Sequence, residues 1–212
     1  MAIRIDREYR NFQKSFSFEH REEGAEESYI VEGYAATFDQ YELFEFDGVK
    51  YFERIEPTAF DKTDMSDVVF LLDHEGRVYA RTKNGSVTLR VDGHGLYQRT
   101  DLGLTELSRG VFADIKVGNY SQMSFAFTVD EDEFIINDKD KTALRVIKSI
   151  RKLYDISAVS FPANPGTDIG VSARDLFNGA IEKEMAERLE REKRAKEIAR
   201  LRLKLQLERE RN

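Results

Sequence analysis

The stretch "YSQMSFAFTVD", from Tyr120 to Asp130, decides how the body of this chain is read. Met123, Phe125, Phe127 and Val129 alternate with Gln122, Ser124, Ala126 and Thr128. A strict period of two is the mark of a β-strand, with the four apolar side chains on one face and the small and hydroxyl side chains on the other. The strand is committed to a core, yet its second face carries a serine at its centre.

Around it the sequence is mostly β in pattern. A strand is expected near Arg10–Phe18 and another over Tyr29–Phe38, with Gly33 a candidate bulge. "FEFDGVKYFERI" (Phe44–Ile55) places Asp47-Gly48 between two alternating runs, a hairpin signal. "DVVFLLDHEG" (Asp67–Gly76) is a continuous apolar run closed by polar residues, as a strand buried on both faces would be. Asn84-Gly85 and Asp92-Gly93 then punctuate a meander of about three strands. One helix is expected in the body. Leu104, Leu107, Val111, Phe112 and Ile115 recur at helical spacing, and Gly118-Asn119 ends it. Two or three further strands follow Asp130, before a proline-bounded stop.

From Asp175 the pattern changes. The segment to Asn212 has no proline and is rich in strong helix formers. It holds 11 Lys and Arg against 9 Asp and Glu, a net of +2, whereas Met1–Arg174 has 22 against 31, a net of −9. The division expected is a body of 1–174, its core 29–170, and a charged helix of 175–212. The helix reads equally as a solvated rod held by i,i+4 ion pairs or as a docking and self-association element. An acidic body argues against nonspecific attraction to nucleic acid. The absence of cysteine removes thiolate, disulfide and cysteine-metal chemistry. No apolar run reaches membrane-spanning length, and the first residues lack the apolar core of a signal peptide, so a soluble protein is expected.

Three residues stand out for chemistry. His74 closes the apolar run and would be delivered to a sheet end, where functional groups are often mounted. The other histidines are less promising: His20 lies in an acidic loop-like stretch and His94 in a glycine-flanked turn. Ser124 needs a base to become a nucleophile. It has no G-x-S-x-G elbow around it. Asp155, in "LYDISAVSFPANPGT", shares a strand face with Leu153, Ser157 and Val159 by alternation. A carboxylate there requires a partner. That partner is either Arg151 or Lys152, or the free nitrogen of a histidine. The residues alone leave both a Ser/His/Asp site and plain packing roles open. A metal hydrolase has little support, since the three histidines show no ligand spacing and no calcium-loop pattern appears.

"FLLDHEGR", "YSQMSFAFTV" and "LYDISAVSFPANPGT" follow one another in this order, with "GYAATF" and "EPTAF" upstream. Together, over roughly Val31–Gly170, they resemble the prohead maturation proteases of tailed bacteriophages, serine peptidases similar to the herpesvirus assemblins. The resemblance implies a mostly antiparallel β-barrel with a few packed helices. It implies Ser124 as nucleophile, His74 as general base and Asp155 as third member, where herpesvirus relatives use a second histidine. Ala126 stands where the family often has glycine. Backbone amides near Ser157–Ser160 are the expected oxyanion donors. The implied substrate is the scaffolding protein or a scaffold segment of the capsid protein, cut inside the assembling prohead in the host cytoplasm, with self-cleavage afterwards. No cofactor is implied. A homodimer is expected by analogy, and the terminal helix would bind scaffold helices or be removed after assembly. The competing expectation is a non-enzymatic β-rich assembly module, its helix an oligomerising element and Ser124 merely packed.

Overall fold

A computed structural model describes residues 7–12, 16–18, 28–137, 139–160 and part of 177–202. The chain divides into two compact units, Met1–Gly170 and Val171–Asn212. The first unit is β-rich. In chain order its strands are β1 (Glu8–Phe12), β2 (Ser17–Phe18), β3 (Ile30–Thr37), β4 (Tyr41–Phe46), β5 (Val49–Ile55), β6 (Val69–Leu72), β7 (Glu75–Arg81), β8 (Val87–Val91), β9 (Gly95–Asp101), β10 (Gln122–Asn137) and β11 (Thr142–Val159). Its other described elements are the 3-10 turn Thr82–Asn84 and the helix α1, Glu106–Val117.

The strands form two sheets rather than the expected barrel. The larger runs β1-β10-β11-β5-β4, and β6 and β7 branch from it at β11; the smaller runs β2-β3-β9-β8. The branching explains why the larger sheet does not close. β11 is 18 residues long, and two strands share one of its edges. β5 pairs parallel with Thr142–Ile147 and β6 parallel with Asp155–Ala158. The sheet forks there, leaving β1, β4 and β7 as edges.

β10 and β11 make one long antiparallel hairpin, where the sequence suggested several shorter strands. Met123, Phe125 and Phe127 are buried, as the alternation predicts, but so are Ser124, Ala126 and Thr128. The strand therefore has no open small-residue face. Register departs from simple alternation at Tyr154: Ala126 pairs with Asp155, and Phe127 with Leu153. Tyr154 is the extra residue of a bulge, and Leu153 moves to the phenylalanine face instead of sharing the side of Asp155.

Other elements follow their local chemistry. Asp47 and Gly48 both have positive φ, at 50° and 72°, and join β4 to β5 as a two-residue turn. The irregularity in β3 lies between Tyr34 and Ala36, not at Gly33. The meander after β6 splits, with β7 in the larger sheet and β8 and β9 in the smaller. Helix α1 begins at Thr105, whose side chain accepts from the Ser108 amide, and ends on Gly118 in the left-handed region. Its buried side is Ser108, Val111, Phe112 and Ile115, while Leu104 and Leu107 are exposed. Leu104 precedes the first helical residue and so never joins the stripe. Ser108 turns inward because its hydroxyl reaches the Tyr79 carbonyl at 2.9 Å.

The second unit is described only in part. Described residues between Phe177 and Arg202 are helical and, Phe177 apart, exposed. The rest of the segment expected as one helix over 175–212, like the loop around His20 and the proline-bounded stop at 161–166, lies outside the described residues. No helix among the described residues is long and apolar enough to cross a membrane.

Candidate active site

Three elements converge where β6 ends. The chain leaves Leu72, turns through Asp73 and His74, and re-enters β7 at Glu75, which pairs back to Leu72. Asp73 and His74 have φ of 46° and 63°. This is the two-residue hairpin turn that favours Asn-Gly or Asp-Gly, here with a histidine in the glycine position. Holding a non-glycine residue left-handed costs about 1–2 kcal/mol. Asp73 anchors the turn to β11, since its amide donates to the Ala158 carbonyl and its carboxylate accepts from the Ser160 amide at 3.0 Å.

The turn aims the imidazole across the β10–β11 pair. His74 Nε2 lies 2.6 Å from Ser124 Oγ, and Nδ1 lies 2.6 Å from Asp155 Oδ1. Ser124 is opposite Ser157 in the register, and Asp155 is two residues before Ser157. The imidazole thus spans the diagonal from one strand to the next. Ser124 is fully buried and Asp155 is 3% exposed. The His74 side chain retains 14%. The Tyr9 ring packs edge-on against the imidazole at 4.6 Å.

The three residues expected as a site are therefore in hydrogen-bonding contact. The partners considered for Asp155 in a purely structural role are committed elsewhere: Arg151 pairs with Asp130 and Lys152 with Asp64. His94 sits in the turn between β8 and β9, its ring against Tyr34, and His20 is outside the described residues. The Ser160 amide, expected among the oxyanion donors, is bound to Asp73.

The sequence reading missed what β1 contributes. The Ser124 hydroxyl also lies 3.0 Å from the Arg10 carbonyl oxygen. A hydroxyl has one proton, so it donates either to this carbonyl or to His74 Nε2. Beside it lies a buried ionic cluster. Arg10 donates to both oxygens of Glu53, at 2.5 and 2.8 Å, and Arg145 donates to Glu53 at 3.0 Å and to Glu8 at 2.5 and 2.9 Å. Tyr41 donates its hydroxyl to Glu53 as well. Burial pushes Glu53 up, but the two guanidiniums and the phenol outweigh it and hold the carboxyl down at about 2. The cluster ties β1 to β5 and β11, and so keeps Tyr9 and the Arg10 carbonyl against the site.

An orienting carboxylate, an imidazole and a hydroxyl in this sequence of contacts can make a serine nucleophilic. Among the described residues no group of three His, Asp or Glu is placed to hold a metal ion. A family profile described as caudovirus prohead serine protease matches residues 15–181. The chain belongs to that family. It is accordingly a serine peptidase by family, of the kind that acts in the assembling phage prohead on capsid or scaffold protein. Comparison with curated proteins and with solved structures returns no match.

Proposed function

We propose that this chain is a prohead maturation endopeptidase with Ser124 as nucleophile, His74 as general base and acid, and Asp155 as the residue that orients the imidazole. The carrying observation is the pair of 2.6 Å contacts made by the two nitrogens of His74. In the productive arrangement Nδ1–H donates to Asp155 and bare Nε2 accepts the Ser124 proton. Attack of Oγ on a peptide carbonyl transfers that proton to Nε2. The imidazolium, held by the Asp155 carboxylate, then returns it to the leaving amine. Water repeats the cycle on the acyl-enzyme and releases the second product.

The substrate we assign is the scaffolding protein or the scaffold segment of the capsid protein, with self-cleavage once the shell is filled. The charged segment from Asp175 serves as the docking element that brings the enzyme into the shell, and the body of 1–174 carries the chemistry. A dimer of bodies is part of this reading. Family membership and the site geometry support it.

The test is co-expression of the intact chain with its capsid protein, beside Ser124→Ala. New capsid or scaffold termini, identified by mass spectrometry in the parent and absent from the variant, are expected. Identical protein in both would leave a packing or assembly role instead.

A further inference from the structure

Asp155 is a buried carboxylate with an unusual set of partners. Among the described residues it takes hydrogen bonds from His74 Nδ1 at 2.6 Å and Ser157 Oγ at 2.8 Å, both on Oδ1. No Arg or Lys among those residues forms an ion pair with it. Besides the imidazole itself, the described partner that can orient it is one hydroxyl, and that hydroxyl is fully buried. Ser157 is well placed to hold it still. Its backbone is paired with Ser124 on one side and with Leu71 of β6 on the other. It lies on the same strand face as Asp155, two residues on, directly opposite the serine.

We propose that Ser157 is a positioning residue for the hydrolytic site, fixing the Asp155 carboxylate toward His74. The inference rests on the reading of Ser124, His74 and Asp155 given above. Donation by Ser157 restrains rotation of the carboxylate, so Oδ1 stays in line with Nδ1. Other groups near the imidazole leave this role to Ser157. Tyr9 offers its ring edge from β1, Ser124 its hydroxyl from β10, Asp73 is engaged by Ser160, and Glu75 follows on the strand leaving the turn. The guanidinium of Arg10 is bound into the Glu53 cluster.

Ser157→Ala in the full chain tests the proposal. Expected is a kcat lowered roughly ten- to hundredfold with KM unchanged, because the bond orients the proton path and not the substrate. Ser157→Cys has nearly the same volume and only a weak S–H donor. It is held to the same result and stands in if the alanine variant does not fold. An unchanged kcat, or a loss carried by KM, overturns the role of Ser157. The two readings fail separately: cleavage that survives Ser124→Ala removes the hydrolytic site, whereas an active parent with an indifferent Ser157→Ala removes only this inference.

Discussion

Ser124 Oγ and His74 Nε2 stand 2.6 Å apart although fifty positions separate them in the chain. The contact exists because β6 runs parallel to β11 while β10 runs antiparallel on its other side. The turn after β6 therefore opens at the same end of the sheet as the serine.

On the proposed reading the imidazole depends on the carboxylate for its tautomer, so Asp155→Asn should leave the shape intact and remove most of the activity. A fall in kcat of about 10⁴ is expected, with KM little changed. Steady-state kinetics on a peptide spanning a mapped capsid cleavage site would measure it. A loss confined to KM would mean that Asp155 shapes binding and not the proton path.

His74 occupies a backbone position suited to glycine, and the strain can be read separately from the side chain. His74→Ala and His74→Gly both lose the imidazole and should both be inactive. The glycine variant should be the more stable of the two by about 1 kcal/mol, because only glycine adopts the left-handed region without steric cost. Urea unfolding of the two proteins gives the difference directly.

Glu53 links acid stability to the site. Its folded value of about 2 lies below its ordinary 4.5. A lowered carboxylate contributes stability that is fully present above the ordinary value and lost as pH falls toward the folded one. The parent should therefore weaken progressively between pH 4.5 and 2. Glu53→Gln should cost about 3 kcal/mol at neutral pH, by removing the fully buried carboxylate between Arg10 and Arg145 and leaving Glu8 as the anion they share. Its unfolding should also vary less over that acid range. Chemical denaturation at several pH values would show both.

Gly95 permits a close backbone approach between β9 and β3. A Cβ added there would lie 2.0 Å from the Ala36 carbonyl oxygen, which is backbone and has no room to withdraw. Gly95→Ala should destabilise the smaller sheet by more than about 1 kcal/mol. The melting temperature should fall, while Gly93→Ala, whose added carbon meets nothing, should change it little.

Much of this architecture was readable where a local rule and the tertiary environment agree. Asp47-Gly48 makes its hairpin because both residues tolerate positive φ, and α1 keeps its predicted end because Gly118 does the same. Ser124, His74 and Asp155 were each visible as residues in need of a partner. Their meeting was implied by the family resemblance and not by the residues themselves, since it depends on which edge of β11 receives β6. The forked sheet escaped for the same reason: nothing in the sequence of Thr142–Val159 says that two different strands share its length. Leu153 was misassigned because a single bulge residue, Tyr154, inverts the alternation. Ser157 carried a signal, lying two residues beyond Asp155 on a strand, but a serine in a core is usually only a small residue. The Arg10 carbonyl had no signal at all, because every residue has one.

β1 lies against the candidate site, and Asp155 and Ser157 near the end of β11 line it. A ribosome making this chain delivers Tyr9 first and Ser157 last among these residues. On the proposed reading, a nascent copy that has already exposed its serine still lacks the acid for its histidine. On that reading the capacity to cut arrives only once the end of β11 has been made and paired with β10.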